Sequence, residues 1–289
     1  MTTRIKLRRR DTFRPAGFTL VELLVTISII AILAGVVLGA LNATRRTAKL
    51  AKTKATIAKL DRVIMQQYNR YKSRRVPINT AGMDPNDAAV YRYKAIHDLM
   101  RMEMPDRSGD LMKKTNPVIL DDRPAASRRF LQIWLANRTD RTLDYLPAEC
   151  LYMIVSNSSG MEHFSESEIG DYDQDGFPEF IDAWGKPIMF LRWAPQFLRP
   201  DSDLQSGNPT TDHDPFDTRK QFAIAYHLYP LIYSAGPDGD YGISTGAFRF
   251  DGCPIVTLSG STAGDLNDAG SPVGLGHHDN IHNHRIEAR

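Results

Sequence analysis

The chain has 289 residues, 36 Lys and Arg against 34 Asp and Glu, and 42% hydrophobic residues. That is long enough for one or two domains with a sizeable core, and too apolar for a mostly disordered chain. A net charge of +2 is too small a bias to argue for a specific nucleic-acid partner, and none is expected.

The basic residues gather at the start. Residues 1–17 carry Arg4, Lys6, Arg8, Arg9, Arg10 and Arg14 against one acid, Asp11. Residues 18–41 form an apolar run whose single charge is Glu22. As a helix at about 1.5 Å per residue the run is ~36 Å long, enough to cross a bilayer core of about 30 Å. The basic flank predicts a single pass through the inner membrane, with a cytoplasmic N-terminus and a periplasmic C-terminal domain. A secretory signal needs a shorter apolar core and a small-residue cut site after it. Here the run continues into Asn42-Ala43-Thr44-Arg45-Arg46, with no such site. A plain signal anchor explains the run and its flank, but not the placement of Gly17 and Glu22.

A carboxylate in an apolar helix costs several kcal/mol unless it finds a partner, so Glu22 is a functional candidate. It stands fifth after Gly17. The stretch Gly17-Phe18-Thr19-Leu20-Val21-Glu22 resembles the processing site of type IV prepilins and type II secretion pseudopilins. The resemblance implies cleavage after Gly17 by a membrane prepilin peptidase and methylation of the new N-terminal Phe18. It also implies pairing of Glu22 with the N-terminal amine of a neighbouring subunit during assembly. The implied partners are that peptidase, other pilin or pseudopilin subunits, and an inner-membrane assembly platform. The physics agrees: cleavage leaves a cationic amine among apolar helices, and a neighbour's carboxylate neutralises it. Many pilins carry a proline near the middle of this helix. Here Gly35 and Gly39 occupy that stretch, which leaves a loosened helix and close helix packing both open.

From Thr44 to Lys72 there is no Gly or Pro, and Ile57, Leu60, Ile64, Tyr68 and Tyr71 recur at helical spacing. The helix is expected to continue past the membrane with this stripe as core. Arg45, Arg46, Lys49, Lys52, Lys54 and Lys59 lie off the stripe and suit lipid headgroups better than DNA. Residues 76–85 read as a break. Helices are expected over 86–104 and 128–137, joined by a charged, proline-containing connector. Residues 148–156 suit a helix or a strand. The whole of 76–160 reads as a helical insertion without catalytic features. Cys150 and Cys253 leave one disulfide and two buried thiols equally open.

Residues 171–182 read DYDQDGFPEFID. Asp171, Asp173 and Asp175 alternate, Gly176 supplies a sharp turn, and Glu179 and Asp182 take the ninth and twelfth places. That is the spacing of an EF-hand-type calcium loop, with Asp rather than Glu at its end. Asp182-Ala183-Trp184-Gly185-Lys186-Pro187 resembles a strand-turn segment of the type II secretion major pseudopilin. Ser234-Ala235-Gly236-Pro237-Asp238-Gly239-Asp240 resembles its calcium loop, and Asp279-Asn280-Ile281 its closing motif. By that resemblance Asp238 and Asp240, and more weakly Asp279, are structural calcium ligands. A plain turn at 236–239 is the competing reading.

Residues 187–193 and 221–234 are rich in aromatic and β-branched residues and read as strands of a small antiparallel sheet, with a polar loop at 195–217 between them. The tail with His277, His278, His282 and His284 reads as flexible and solvated, or less readily as a metal site. The expected fold is α+β and pilin-like. Residues 1–17 form the leader, 18–41 the membrane and assembly helix, and 42–75 its periplasmic half. Residues 76–160 form the insertion and 161–289 a β-rich calcium-loop region. A pseudopilin is the first reading and a minor type IV pilin, for adhesion or DNA uptake, the second. A membrane-anchored enzyme is disfavoured, because no G-x-S-x-G or H-E-x-x-H motif occurs.

Overall fold

The computed structural model describes residues 17–112, 124–136, 143–245 and 269–285. The basic leader before Gly17, much of the connector and Cys253 lie outside these, and so does the question of a Cys150–Cys253 bond. Helix α1 (Leu20–Arg70) runs unbroken for 51 residues. The chain divides into two compact units, residues 1–48 and 49–289, and α1 contributes to both.

In the first unit every side chain from Phe18 to Leu41 is exposed. The second unit is an α+β body. Ile57, Leu60, Ile64, Tyr68 and Tyr71 are buried there, so the helical stripe forms core as its spacing implies. Lys59 lies beside it and pairs with Glu168 at 3.0 Å.

Among the described residues four further α-helices follow. Helix α2 (Pro85–Glu103) starts where Asp84 Oδ1 accepts the Asn86 N–H at 2.8 Å and Pro85 presets the first turn. Helix α3 (Ser108–Met112) interrupts what reads in sequence as a connector. Helix α4 spans Ala125–Ala136 and α5 spans Leu146–Ser156. The helix-or-strand choice at 148–156 thus falls to helix. Pro147 sits in its first turn, where its missing N–H costs nothing.

The strands are short. β1 (Ile169–Gly170) pairs antiparallel with β2 (Glu179–Phe180), Ile169 opposite Phe180. β3 (Met189–Leu191), β4 (Leu231–Ser234) and β5 (Ile281–His282) form an antiparallel sheet with β4 in the centre. Met189 faces Tyr233, and Tyr233 faces His282. The strand expected over 221–234 is only its last four residues. Pro230, just before β4, has no N–H for a ladder, and its carbonyl accepts instead from Asn283 Nδ2 at 2.9 Å. The polar loop at 195–217 is also partly interior: Phe197, Gln205, Asp214 and Phe216 are buried.

The tail is solvated only in its first half, where Leu275 and His278 are exposed and His277 half-buried. Beyond it His282 belongs to β5, and His284 is 2% exposed, its Nδ1 2.8 Å from Ser202 Oγ and its Nε2 3.1 Å from the Pro230 carbonyl. A strand partner and two buried polar contacts hold a segment whose composition alone suggests disorder. Among the described residues these histidines form no metal-binding group.

One ion cluster lies inside. Arg192, just after β3, is fully buried and donates to Asp110 Oδ2 at 2.8 Å and to the Met104 carbonyl at 2.7 Å. Asp106 Oδ1 lies 3.4 Å away. The cluster fastens α3 and the end of α2 to the sheet.

Candidate functional site

Gly17, Phe18 and Thr19 precede the first turn of α1 in non-helical backbone. Phe18 is 77% exposed, and a Cβ added at Gly17 meets nothing within 4 Å. The backbone on both sides of the expected cut is therefore open to a peptidase. Glu22 lies in the first turn. Its Oε2 accepts from Thr19 N–H at 2.9 Å and from Thr19 Oγ1 at 2.8 Å, while Glu22 N–H donates to Thr19 Oγ1 at 3.2 Å. That is a reciprocal capping box. Its signal, Thr19-x-x-Glu22 before an apolar run, is in the sequence, and an eye fixed on the charge alone misses it. The cap satisfies helix N–H groups that lipid leaves unsatisfied. The exposed run behind it is long and apolar enough to cross a membrane.

The 171–182 segment is the second feature. Asp171 Oδ1 accepts from Asp175 N–H at 3.1 Å and Asp171 Oδ2 from Gly176 N–H at 3.0 Å. Gly176 has φ +89°, a conformation glycine adopts without strain. Asp171 thus shapes the turn from within. Asp173, Asp175 and Glu179 come together, each offering an oxygen within 4.8 Å of the others, and a fourth carboxylate, Glu149 of α5, joins them. Glu149 and Glu179 are fully buried. Glu179 Oε2 accepts from Tyr172 N–H at 3.0 Å, and its Oε1 has no hydrogen-bond partner among the described residues.

Burial, together with the charges of Asp173, Asp171 and Asp175, pushes the Glu179 carboxyl up to about 7, against the Tyr172 hydrogen bond. Two like charges about 4 Å apart repel by about 4 kcal/mol at an effective dielectric of 20. Four carboxylates with hard oxygens fit a divalent cation of the calcium type, which removes that repulsion. No sequence motif announces Glu149; only the packing of α5 against β2 brings it in.

Asp182 is elsewhere. Its Oδ1 accepts from Trp184 N–H at 2.8 Å and Lys186 N–H at 3.0 Å, and its Oδ2 from Ser234 Oγ at 2.6 Å. The sequence places it twelfth in a loop; the structure uses it to hold the 182–186 turn against the end of β4. The second loop begins there, as Gly236 N–H donates back to Ser234 Oγ at 3.1 Å. Asp238 Oδ1 accepts from Asp240 N–H at 2.8 Å, and Asp240 Oδ1 from Gly242 N–H at 3.1 Å. The closing motif lies against this loop. A Cβ on Gly236 (φ +69°) meets the Asp279 carbonyl at 2.5 Å, so only glycine allows the approach. Burial and the nearby Asp238 charge raise the Asp279 carboxyl above its usual range. Asp238, Asp240 and Asp279 are hard oxygen donors around one loop and fit calcium by donor type, though they lie outside the four-carboxylate group.

The prokaryotic N-terminal methylation motif matches residues 13–38. No curated protein matches the chain, and no solved structure does. The match spans the cut site, Phe18, Glu22 and most of the exposed apolar run. The N-terminus is therefore of the prepilin type, consistent with a type IV pilin-like protein that a prepilin peptidase processes and that assembles with other pilin subunits.

Proposed function

We propose that the chain is a pseudopilin, a structural subunit of a type II secretion-like filament in the periplasm, and not an enzyme. The carrying observation is the methylation motif at 13–38 leading into one unbroken helix whose apolar half is wholly exposed. An exposed run with a charge at its start has two uses, lipid before assembly and neighbouring helices after it. The secretion branch is favoured over a minor pilin by the Asp182–Pro187 and Ser234–Asp240 segments. They resemble the major pseudopilin and meet through the Asp182–Ser234 bond. Structural calcium at both acidic loops belongs to the same reading.

Mass analysis of the mature chain from membranes tests processing. The expected N-terminus is methylated Phe18. A chain that retains Met1, or begins beyond Leu41, overturns the reading. Crosslinking in cells then separates the branches. Capture by the secretion assembly platform supports the pseudopilin, and recovery in surface pili supports the minor pilin instead.

A further inference from the structure

We infer that Glu149 of α5 is a calcium ligand, completing a four-carboxylate site with Asp173, Asp175 and Glu179 that ties the 171–179 loop to the helical segment. This rests on the proposed calcium reading of that loop and changes its ligand set. An EF-hand-type loop draws its carboxylates from its own residues and closes with its twelfth. Here the twelfth residue, Asp182, is committed to Trp184, Lys186 and Ser234. The first, Asp171, holds the turn through the Asp175 and Gly176 N–H groups and lies outside the converging group. Asp175 keeps one oxygen on the Phe177 N–H at 2.9 Å and still converges with Asp173 and Glu179, and the fourth carboxylate of the group comes from a helix more than twenty positions earlier in the chain.

Two observations argue for a cation at this group. The first is Glu179: fully buried, one oxygen on Tyr172 N–H, and the other with no hydrogen-bond partner among the described residues. A buried carboxylate oxygen without a donor is costly unless something positive meets it. The second is donor type. The four groups, within 4.8 Å of one another, offer only carboxylate oxygens. Carboxylates without nitrogen or sulfur disfavour zinc. Magnesium keeps several waters and is held by one or two carboxylates, so four converging carboxylates favour calcium. By bridging α5 and the start of β2, the site makes the fold of the helical segment depend on calcium.

The test uses the full mature chain in detergent, with Asp238 and Asp240 changed to Ala to silence the second loop. Terbium replaces calcium as probe, and Tyr172, inside the loop, sensitises its luminescence. Calcium competition then gives the affinity. Glu149→Gln is expected to weaken binding roughly tenfold or more, because affinity follows the charge count of the ligands. Asp173→Asn is expected to weaken it similarly, and Asp182→Asn to leave it unchanged. If Glu149→Gln binds as tightly as its parent while Asp173→Asn does not, the inference is wrong and the loop reading stands. If the parent shows no sensitised terbium, the loop reading itself fails. Circular dichroism guards against a variant that does not fold. In that case Glu149→Asp, which withdraws the oxygen by about one C–C bond of ~1.5 Å, serves instead, and an unchanged affinity there also overturns the proposal.

Discussion

Glu22 has two roles that ordinary truncation confounds. As a cap, its oxygen satisfies Thr19 N–H and hydroxyl; as a charge, it has the Phe18 amine of a neighbouring subunit as its expected partner after cleavage. Glu22→Ala removes both, and the lost cap costs about 1 kcal/mol of helix stability. Glu22→Gln keeps a carbonyl oxygen for Thr19 and removes only the charge. If the charge pair drives assembly, both variants insert in the membrane and neither enters filaments, as read by crosslinking to wild-type subunits. Normal incorporation of Glu22→Gln defeats the pairing argument and leaves the cap as the residue's job. Asp182 poses the same kind of question. Its sequence position suggests a ligand, while its bonds to Trp184, Lys186 and Ser234 make it a brace. Spacing displays which carboxylates are near in the chain, not which way each one turns. That is why Asp173, Asp175 and Glu179 were legible as neighbours, while the turn of Asp182 toward Ser234 and the approach of Glu149 from α5 were not.

At the scale of elements, two features set stability, and sequence patterns showed neither. Arg192 stands in a stretch that reads as a strand, yet its guanidinium holds Asp110 and nears Asp106, far earlier in the chain. Arg192→Met fills the space and leaves Asp110 paired with Arg101 at 3.2 Å and Asp106 with Arg107 at 2.7 Å, but it strips the buried Met104 carbonyl and Asp110 Oδ2 of their guanidinium donor. A loss of about 1–3 kcal/mol is expected, a fall in melting temperature of roughly 3–10 °C for a unit of this size. A melt within about 2 °C of wild type, less than 1 kcal/mol by the same scaling, contradicts it. The second feature is the docked tail. Burial pushes His284 down to about 3 from 6.5, despite its contact with the Pro230 carbonyl. The unfolded chain takes up that proton near pH 6.5 and the folded chain does not. Stability is therefore intact above pH 6.5 and declines as pH falls toward 3. Burial likewise lowers His227 to about 4, and it acts in the same direction. His284→Gln is thus expected to flatten, without abolishing, the pH dependence of the melting temperature between pH 6.5 and 4. An unchanged slope argues that the tail detaches before the unit unfolds. Long helices with a clear apolar period were readable because each turn repeats the signal. Strands of two to four residues and a tail held by distant partners carry no such repetition.

The whole molecule joins a surface that needs apolar surroundings to a body with its own core. Side chains from Phe18 to Leu41 are exposed, and the first buried residue along α1 is Thr53. Everything that holds the second unit together therefore begins beyond residue 48. The α1 stripe from Ile57 to Tyr68, Tyr71 just beyond it, the aromatic residues Phe180 and Phe190, and the sheet residue Ile232 belong to one buried cluster. A contiguous apolar surface of this kind does not stay in water; it enters a membrane, finds other helices, or aggregates. The body makes no such demand. A chain beginning at Lys49 is thus expected to be a detergent-free monomer by size-exclusion chromatography. Its melting temperature in calcium should match that of the mature chain in micelles to within about 2–4 °C, the shift that ~1 kcal/mol produces in a unit of this size. Adding chelator should lower it: calcium at ~100 times its dissociation constant contributes roughly 2.7 kcal/mol. A truncated chain that aggregates, or that melts far below the mature protein, shows that the first unit supports the fold and is more than an anchor. An intact monomer indifferent to chelator keeps the anchor and body separate and removes calcium from the account of its stability.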